Sequence, residues 1–322
     1  MNIGIVGAGR IAKAHFERLS KLKDIKIKGV ADIIFVRAKE MAEKCNANAY
    51  SSFEELLENE KNLDAIFICT PPYSREPENI IKSARRGIHL FIEKPPARTL
   101  ITGERLQDVF DKTGIVVSVG FLWRYSEFSS KVKEYLKDER CAMIVSRWYH
   151  TIPPIAWVRD KERAGGQVVD QSIHLIDLMR YIVGDARSVY SQSSKGLFPE
   201  VEDFINDDAS VTIINFQNGT VASLASTYSL FPHPEHGARI EFMPKRLRLE
   251  GSLDYLKVFT PENMESFKFT DDPMEKEQLT FFEAIEKNDR SKILSPYEDS
   301  LKTLKIALSA NRSMETGEVI NL

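Results

Sequence analysis

Apolar residues in the first third of the chain fall into short, nearly unbroken runs. Between them lie longer stretches in which apolar positions recur every three or four residues. The runs at 3–6, 25–31, 47–50, 63–69, 88–92 and 115–120 are too short for helices and read as strands. The intervening segments at 10 onward, 36–44, 51–57, 76–86 and 101–112 carry the helical period, and Ser51-Ser52 gives the third of them a serine-capped start with the acids Glu54 and Glu55 in its first turn. Strand and helix alternate with short connections, the pattern of a parallel sheet built from βαβ units. Runs as apolar as 63–69 suit strands covered on both faces.

After Phe121 the pattern changes. Strands are predicted at 141–150, 186–194, 209–216, 220–229, 238–242, 246–250 and 255–259, with few helices between them and with Asn218-Gly219 as a hairpin turn. Two helices, 274–287 and 296–316, close the chain, and Gly317 stops the second. The fold class expected is α/β. It combines an N-terminal doubly wound parallel sheet of the Rossmann type (1–122) with a C-terminal α+β domain carrying a large, mainly antiparallel open sheet (123–322).

A chain of 322 residues is long enough for two cores. Its net charge of −3, with 44 basic and 47 acidic residues interspersed, argues against nucleic acid or an anionic membrane as partner. Cys45, Cys69 and Cys141 lie far apart without metal-binding spacing, so structural zinc is not expected and a reducing compartment is. No apolar run approaches a membrane span. With the first strand starting at residue 2, no signal peptide is expected either, and the expected location is the cytoplasm.

The chemistry begins at the first strand's end. Gly7-Ala8-Gly9-Arg10-Ile11-Ala12 places a tight turn between strand and helix. Gly7 permits the turn, Gly9 lets a pyrophosphate approach the backbone at Arg10 and Ile11, and Ala12 is small enough for the helix to pack on the strand. Asp32 ends the second strand at the distance where a carboxylate accepts the ribose hydroxyls of NAD and repels the 2′-phosphate of NADP; its plainer reading is a cap for the helix that follows. Arg37 lies near the adenine or is an ordinary solvated helix residue. Thr70-Pro71-Pro72 ends the fourth strand and leaves its carboxyl end open to ligand. Glu93-Lys94-Pro95 ends the fifth at the expected nicotinamide position, where a lysine can hydrogen-bond a substrate hydroxyl and take part in proton transfer.

A second constellation lies in 165–179, read as one helix. Asp170, His174 and Asp177 recur at i, i+4 and i+7 and so share a face, while Val169, Ile173, Ile176 and Leu178 fill the others. Two acids and a histidine on a mostly buried helix face a polar cleft or pair with one another. The plainer reading is a His–Asp pair holding the helix to a loop. Arg124 reads as a hinge salt bridge. Trp157 and Arg159 wall a substrate or close the core. His15, His89, His233 and His236 are read as structural or surface residues.

The succession Gly7 to Ala12, Asp32, Thr70-Pro71-Pro72, Glu93-Lys94-Pro95 and Gly120-Phe121 resembles the Gfo/Idh/MocA oxidoreductase family, relatives of glucose–fructose oxidoreductase and inositol dehydrogenase. The Glu-Lys-Pro triplet is its most specific mark, and Gly165-Gly166 followed by Asp170, His174 and Asp177 matches a second family signature. Three positions depart from the pattern: Arg75 where a histidine is frequent, Pro96 where leucine is commoner, and Ser172 in place of a glycine. The resemblance implies a homodimer or homotetramer through the C-terminal sheet, with the aspartate and histidine of the second domain reaching the substrate. For Arg124 it implies contact with cofactor or substrate, beside the hinge salt bridge.

The function expected is an NAD-dependent oxidoreductase, NADP being second choice, which moves a hydride between nicotinamide and a sugar, an inositol-like polyol or a related small molecule. Lys94, Asp170 and His174 carry the catalysis. Gly7, Gly9, Arg10, Ile11, Asp32, Arg37, Thr70, Pro71, Glu93 and Lys94 contact the cofactor, and Lys94, Arg124, Trp157, Asp170 and His174 the substrate. The alternatives are an NAD-retaining glycoside hydrolase or sugar-rearranging enzyme of the same family, and a non-enzymatic NAD sensor.

Overall fold

The computed structural model describes residues 1–137 and 139–322. These divide into two compact units, Met1–Gly120 with Met274–Leu301, and Phe121–Pro273 with Lys302–Leu322. The division expected, at residue 122, is crossed by the segment 274–301, which packs with the first unit.

In the first unit β1 (Asn2–Val6) leads into α1 (Arg10–Leu19), and the alternation continues through β2 (Lys26–Ala31), α2 (Phe35–Glu43), β3 (Asn48–Tyr50), α3 (Phe53–Asn59) and β4 (Ala65–Ile68). It ends with α4 (Pro77–Arg85), β5 (His89–Ile92), α5 (Leu100–Thr113) and β6 (Val117–Val119). The strands form one sheet in the order β3-β2-β1-β4-β5-β6, every pairing parallel. Strand order reverses direction between β1 and β4, and ligands bind outside the carboxyl ends of such sheets at that switch point. The core explains why segment 274–301 belongs here. The helix Pro273–Glu286 sets Phe281 and Phe282 against the stacked rings of Phe67 in β4 and Phe91 in β5, with Phe281 edge-on to both. Periodicity predicts such a helix but not which sheet it covers.

The second unit begins with α6 (Glu127–Tyr135) and β7 (Met143–Tyr149). Two helical turns, α7 (Ala156–Arg159) and α8 (Lys161–Ala164), precede α9 (Gly166–Asp170) and α10 (Ile173–Val183). The single helix expected over 165–179 is therefore interrupted at Gln171 and Ser172. The strands β8 (Ala186–Ser194), β9 (Ala209–Phe216), β10 (Val221–Thr227), β11 (Gly237–Met243), β12 (Arg248–Ser252), β13 (Tyr255–Phe259), β14 (Met264–Lys268) and β15 (Ile320–Asn321) follow. With β7 they order as β14-β13-β12-β11-β7-β10-β9-β8-β15; the pairings are antiparallel apart from β7 with β10. In β9, Ser210, Thr212, Ile214 and Phe216 are buried while Val211 and Ile213 are exposed, so one face packs inward and the other is open. Among the described residues no helix is long and apolar enough to cross a membrane.

Candidate active site

At the end of β1 the chain turns on Gly7, whose φ is +90°. A side chain there is excluded twice over. The backbone lies in the left-handed region, and a Cβ would stand 2.9 Å from the Thr70 amide nitrogen and 3.0 Å from the Cys69 carbonyl carbon. Gly9, the N-cap of α1, has the opposite surroundings: a Cβ would meet nothing within 4 Å, and no side chain caps the helix. Its first-turn N–H groups, from Arg10 onward, thus begin at an open surface with the positive end of the helix dipole behind them. Ala12 is fully buried, as its packing role requires.

Asp32 is engaged by the backbone on both sides of it. Its Oδ2 accepts from the Ala8 amide at 2.6 Å and its Oδ1 from the Ile34 amide at 2.8 Å. The carboxylate fastens the glycine turn to the entry of α2, and each oxygen keeps a lone pair for further donors. Arg37 lies exposed on α2. Its neighbours fall in no motif, yet Ile33, Ile34, Phe35 and Val36 are 86, 46, 47 and 61 % exposed, a continuous apolar strip directly after Asp32. The signal was four apolar residues in a row where an amphipathic helix would alternate.

At the end of β4, Thr70 and Pro71 are half-buried and Pro72 opens a short 3₁₀ turn. Arg75 holds this turn to the next. Its Nε donates to the Thr70 carbonyl at 3.0 Å and its Nη1 to the Pro95 carbonyl. Burial draws the Arg75 guanidinium down to about 10, against the pull of Glu93, so it remains charged at neutral pH. Lys94 is half-buried, and its peptide bond to Pro95 is cis.

Glu93, expected among the cofactor contacts, is held within the first unit. It is 6 % exposed, and its carboxylate is engaged within the unit: Oε1 lies 2.7 Å from His15 Nε2, and Oε2 accepts from the Lys94 amide at 3.1 Å. The acid turns inward because these donors satisfy a charge that the sheet end would otherwise bury bare. His15, fully buried, is the partner that the sequence reading left among structural or surface residues. With Glu277 this pair forms a cluster whose ligand atoms lie within 4.8 Å of one another. The His15–Glu93 distance of 2.7 Å is nevertheless that of a direct hydrogen bond, whereas two ligands sharing one zinc ion stand about 3.3 Å apart.

In the second unit, Asp170 ends α9 and His174 lies in the first turn of α10. The break between them means the two do not share the face of one regular helix. Ser172 at the break bonds Ser226 Oγ at 2.7 Å, and Gln167 donates to the Thr227 carbonyl at 3.0 Å, so both flanks are tied to β10. The His174 ring stacks on Trp148 at 5.9 Å and meets Phe121 edge-on at 6.0 Å. Its residue is 9 % exposed, and Asp170 is half-buried. Burial, reinforced by the negative charge of Asp170, pushes the Tyr228 hydroxyl well above its ordinary pKa. Asp177 belongs to a different structure, an ion pair with Arg124. The Arg124 Nε–Oδ2 distance is 2.7 Å and Nη2–Oδ1 is 2.5 Å, and Thr303 adds a third bond to Oδ1 at 2.8 Å. Of its two readings, the salt bridge is the one this geometry displays. Trp157 is half-buried on α7, while Arg159 is held by Asp203 at 2.8 Å and by the Pro153 carbonyl.

Both parts of the chain match known families. The oxidoreductase family described by its NAD-binding Rossmann fold matches residues 1–121, and the GFO/IDH/MocA C-terminal domain matches residues 140–251. The chain is 28 % identical to the uncharacterised oxidoreductase YrbE of Bacillus subtilis, covering 99 % of this chain and 96 % of that one. It is 29 % identical to the myo-inositol 2-dehydrogenase of Thermotoga maritima, over 69 % of this chain and 66 % of the relative. Among solved structures, levoglucosan dehydrogenase in complex with NADH has the same fold, with a TM-score of 0.86 across 100 % of this chain and 98 % of the other at 21 % identity. A Rossmann sheet with an open glycine turn, an acid after β2 and Lys94 after β5, followed by a mixed sheet that the second profile matches, places the chain in the Gfo/Idh/MocA oxidoreductase family.

Proposed function

We propose that the protein is an NAD-dependent dehydrogenase acting on a hydroxyl group of a sugar or an inositol-like polyol. The observation that carries the reading is the crowding of functional groups at one switch point. Gly7 and Gly9 after β1, Thr70 and Pro71 after β4, and Lys94 after β5 all end adjacent parallel strands. The residues fit the dinucleotide: a Cβ-free opening at Gly9, uncapped amides at the start of α1, and an acid with spare acceptor capacity at Asp32. Asp32 receives the ribose hydroxyls, and the four residues that follow it, Ile33 to Val36, carry no positive charge to hold a 2′-phosphate. The strip Ile33 to Val36 offers an apolar bed for the adenine.

When bound, the nicotinamide supplies the redox chemistry. Lys94 donates a hydrogen bond to the reacting oxygen and steadies the charge that develops on it. His174, oriented by Asp170, takes the hydroxyl proton. Trp157 borders the substrate. Relatives named for inositol, glucose 6-phosphate and D-glucoside dehydrogenation support this substrate class. The open face of the large sheet forms the contact between copies: Val221 lies beside Met143 across the β7–β10 pairing, and exposed Val211 and Ile213 continue the apolar band. Three free cysteines suit a cytoplasmic setting.

The test is oxidation of myo-inositol, scyllo-inositol, D-glucose 6-phosphate and D-glucosides with NAD and NADP, followed by the absorbance of the reduced nicotinamide. Turnover of one of these with NAD, lost in both Lys94→Ala and His174→Ala, is expected. Full turnover in either variant would overturn the assignment of that residue.

A further inference from the structure

Lys94 is anchored from behind by a line of hydrogen bonds that crosses three elements of the first unit. Its amide donates to Glu93 Oε2 at 3.1 Å, and Glu93 Oε1 meets His15 Nε2 at 2.7 Å. His15 Nδ1 in turn lies 2.7 Å from Gln278 Nε2, in the helix Pro273–Glu286. The Gln278 amide nitrogen has only protons to offer, so Nδ1 is the acceptor and the imidazole carries its proton on Nε2, aimed at the carboxylate. The relay therefore runs one way, from Gln278 through His15 to Glu93.

The line is closely packed. The His15 ring is wedged against Phe67 at 5.6 Å and Phe91 at 5.1 Å, and His15 and Gln278 are fully buried. Gly120 forms a wall behind the carboxylate: a Cβ there would stand 3.0 Å from Glu93 Cδ and Oε1 and 3.1 Å from Oε2. On the far side of Lys94, Arg75 grips the Pro95 carbonyl. The residues before and after Lys94 are thus both fixed by buried or half-buried charge.

We propose that His15 is a positioning residue for Lys94, acting through Glu93. The inference rests on the reading of Lys94 as the group that holds the reacting oxygen. His15 sits in α1, the helix whose N-terminus follows the glycine turn, so one imidazole fastens the dinucleotide-binding helix to the turn that presents Lys94. A misplacement of about 1 Å at a reacting group is worth about a hundredfold in rate, which is the scale of effect such an anchor has.

Amide hydrogen exchange at Lys94 tests this directly, because Pro95 and Pro96 have no N–H and leave its signal clear of its neighbours. In His15→Leu the Lys94 amide is expected to exchange at least about tenfold faster, the equivalent of losing one charge-assisted hydrogen bond. The amides of β1 and β2 keep their wild-type rates, and NADH binding stays within about threefold of wild type. In His15→Gln, whose side chain still carries an N–H donor toward Glu93, Lys94 protection returns. A wild-type rate at Lys94 in His15→Leu overturns the proposal, as does a general loss of protection across the sheet that His15→Gln leaves unrepaired. Should His15→Leu fail to fold, Gln278→Leu removes the outer link; faster exchange confined to Lys94 then supports the proposal and an unchanged rate overturns it. Myo-inositol turnover by Lys94→Ala separates the two readings. Activity retained there defeats the assigned role of Lys94, whereas exchange in the His15 variants decides whether its backbone is anchored as described.

Discussion

Arg124 and Asp177 are joined at two points, Nε to Oδ2 at 2.7 Å and Nη2 to Oδ1 at 2.5 Å, with side chains 3 and 0 % exposed. Burial raises the Asp177 pKa above 3.8, and Arg124 is the chief influence opposing the rise. Arg124→Met therefore strands a carboxylate with Thr303 and a more distant Arg180, and should cost about 3–5 kcal/mol of unfolding free energy at neutral pH. The sign of the pH effect follows from linkage. A folded-state pKa above the unfolded value means that the native form binds the proton more tightly. The variant should thus be least impaired below 3.8 and lose stability as pH rises through the raised value. Urea denaturation at several pH values checks this; a loss independent of pH would show that Asp177 is not the group left behind.

Asp32→Ala removes two acceptors at once, those of the Ala8 and Ile34 amides, together with the proposed ribose contact. Affinity for NADH should fall by about ten- to a hundredfold, the worth of hydrogen bonds to a charged group. The preference over NADPH should narrow, because the repelling charge is gone. Fluorescence titration with both nucleotides measures it. An unchanged ratio of the two affinities would leave Asp32 with its capping role alone.

Asp185 gives a second, milder pH signature. Its carboxyl is held below 3.8 chiefly by its hydrogen bond from Arg180, with Lys302 also lowering it. A depressed pKa contributes stability that is present above 3.8 and is lost as pH falls through the folded-state value. The side chain is 39 % exposed, so solvent screens much of the interaction. Asp185→Asn should be measurably less stable than wild type at neutral pH, and the gap should close in acid. A gap that persists in acid would point to lost packing instead.

Much of the first unit was legible because parallel strands buried on both faces announce themselves as apolar runs. The run ending at Cys69 and the glycine turn needed no tertiary information. The interruption at Gln171 was hidden because apolar spacing continues through it; the break follows from bonds of Gln167 and Ser172 to β10, which sequence does not display. The strand Met264–Lys268 is mostly exposed at a sheet edge and lacks the alternation that marks its neighbours. The sequence marks His15 as structural or surface without naming its partner, for a similar reason. Its partner is seventy-eight positions away, and an isolated histidine on a helix carries no local sign of what it meets. Arg124 offered two readings because an arginine's meaning lies in its partner, and Asp177 is separated from it by more than fifty residues.

The helix Pro273–Glu286 yields the most direct test of how the units are drawn. Phe281 is fully buried and meets Phe67 and Phe91 edge-on at 5.8 and 5.7 Å. Phe281→Ala should remove about 3–5 kcal/mol from the core it belongs to, through lost burial and the cavity left behind. Were the helix part of the second domain, as its place late in the chain suggests, the weakening would fall on β9 and β10. Packing on β4 and β5 requires the opposite. Amides of those two strands should lose protection, while β9 and β10 keep theirs. Gln278 rides on the same helix, so the Lys94 amide should loosen with β4 and β5. Exchange that accelerated first in β9 and β10 would return the helix to the second unit and remove the outer end of the line that fixes Lys94.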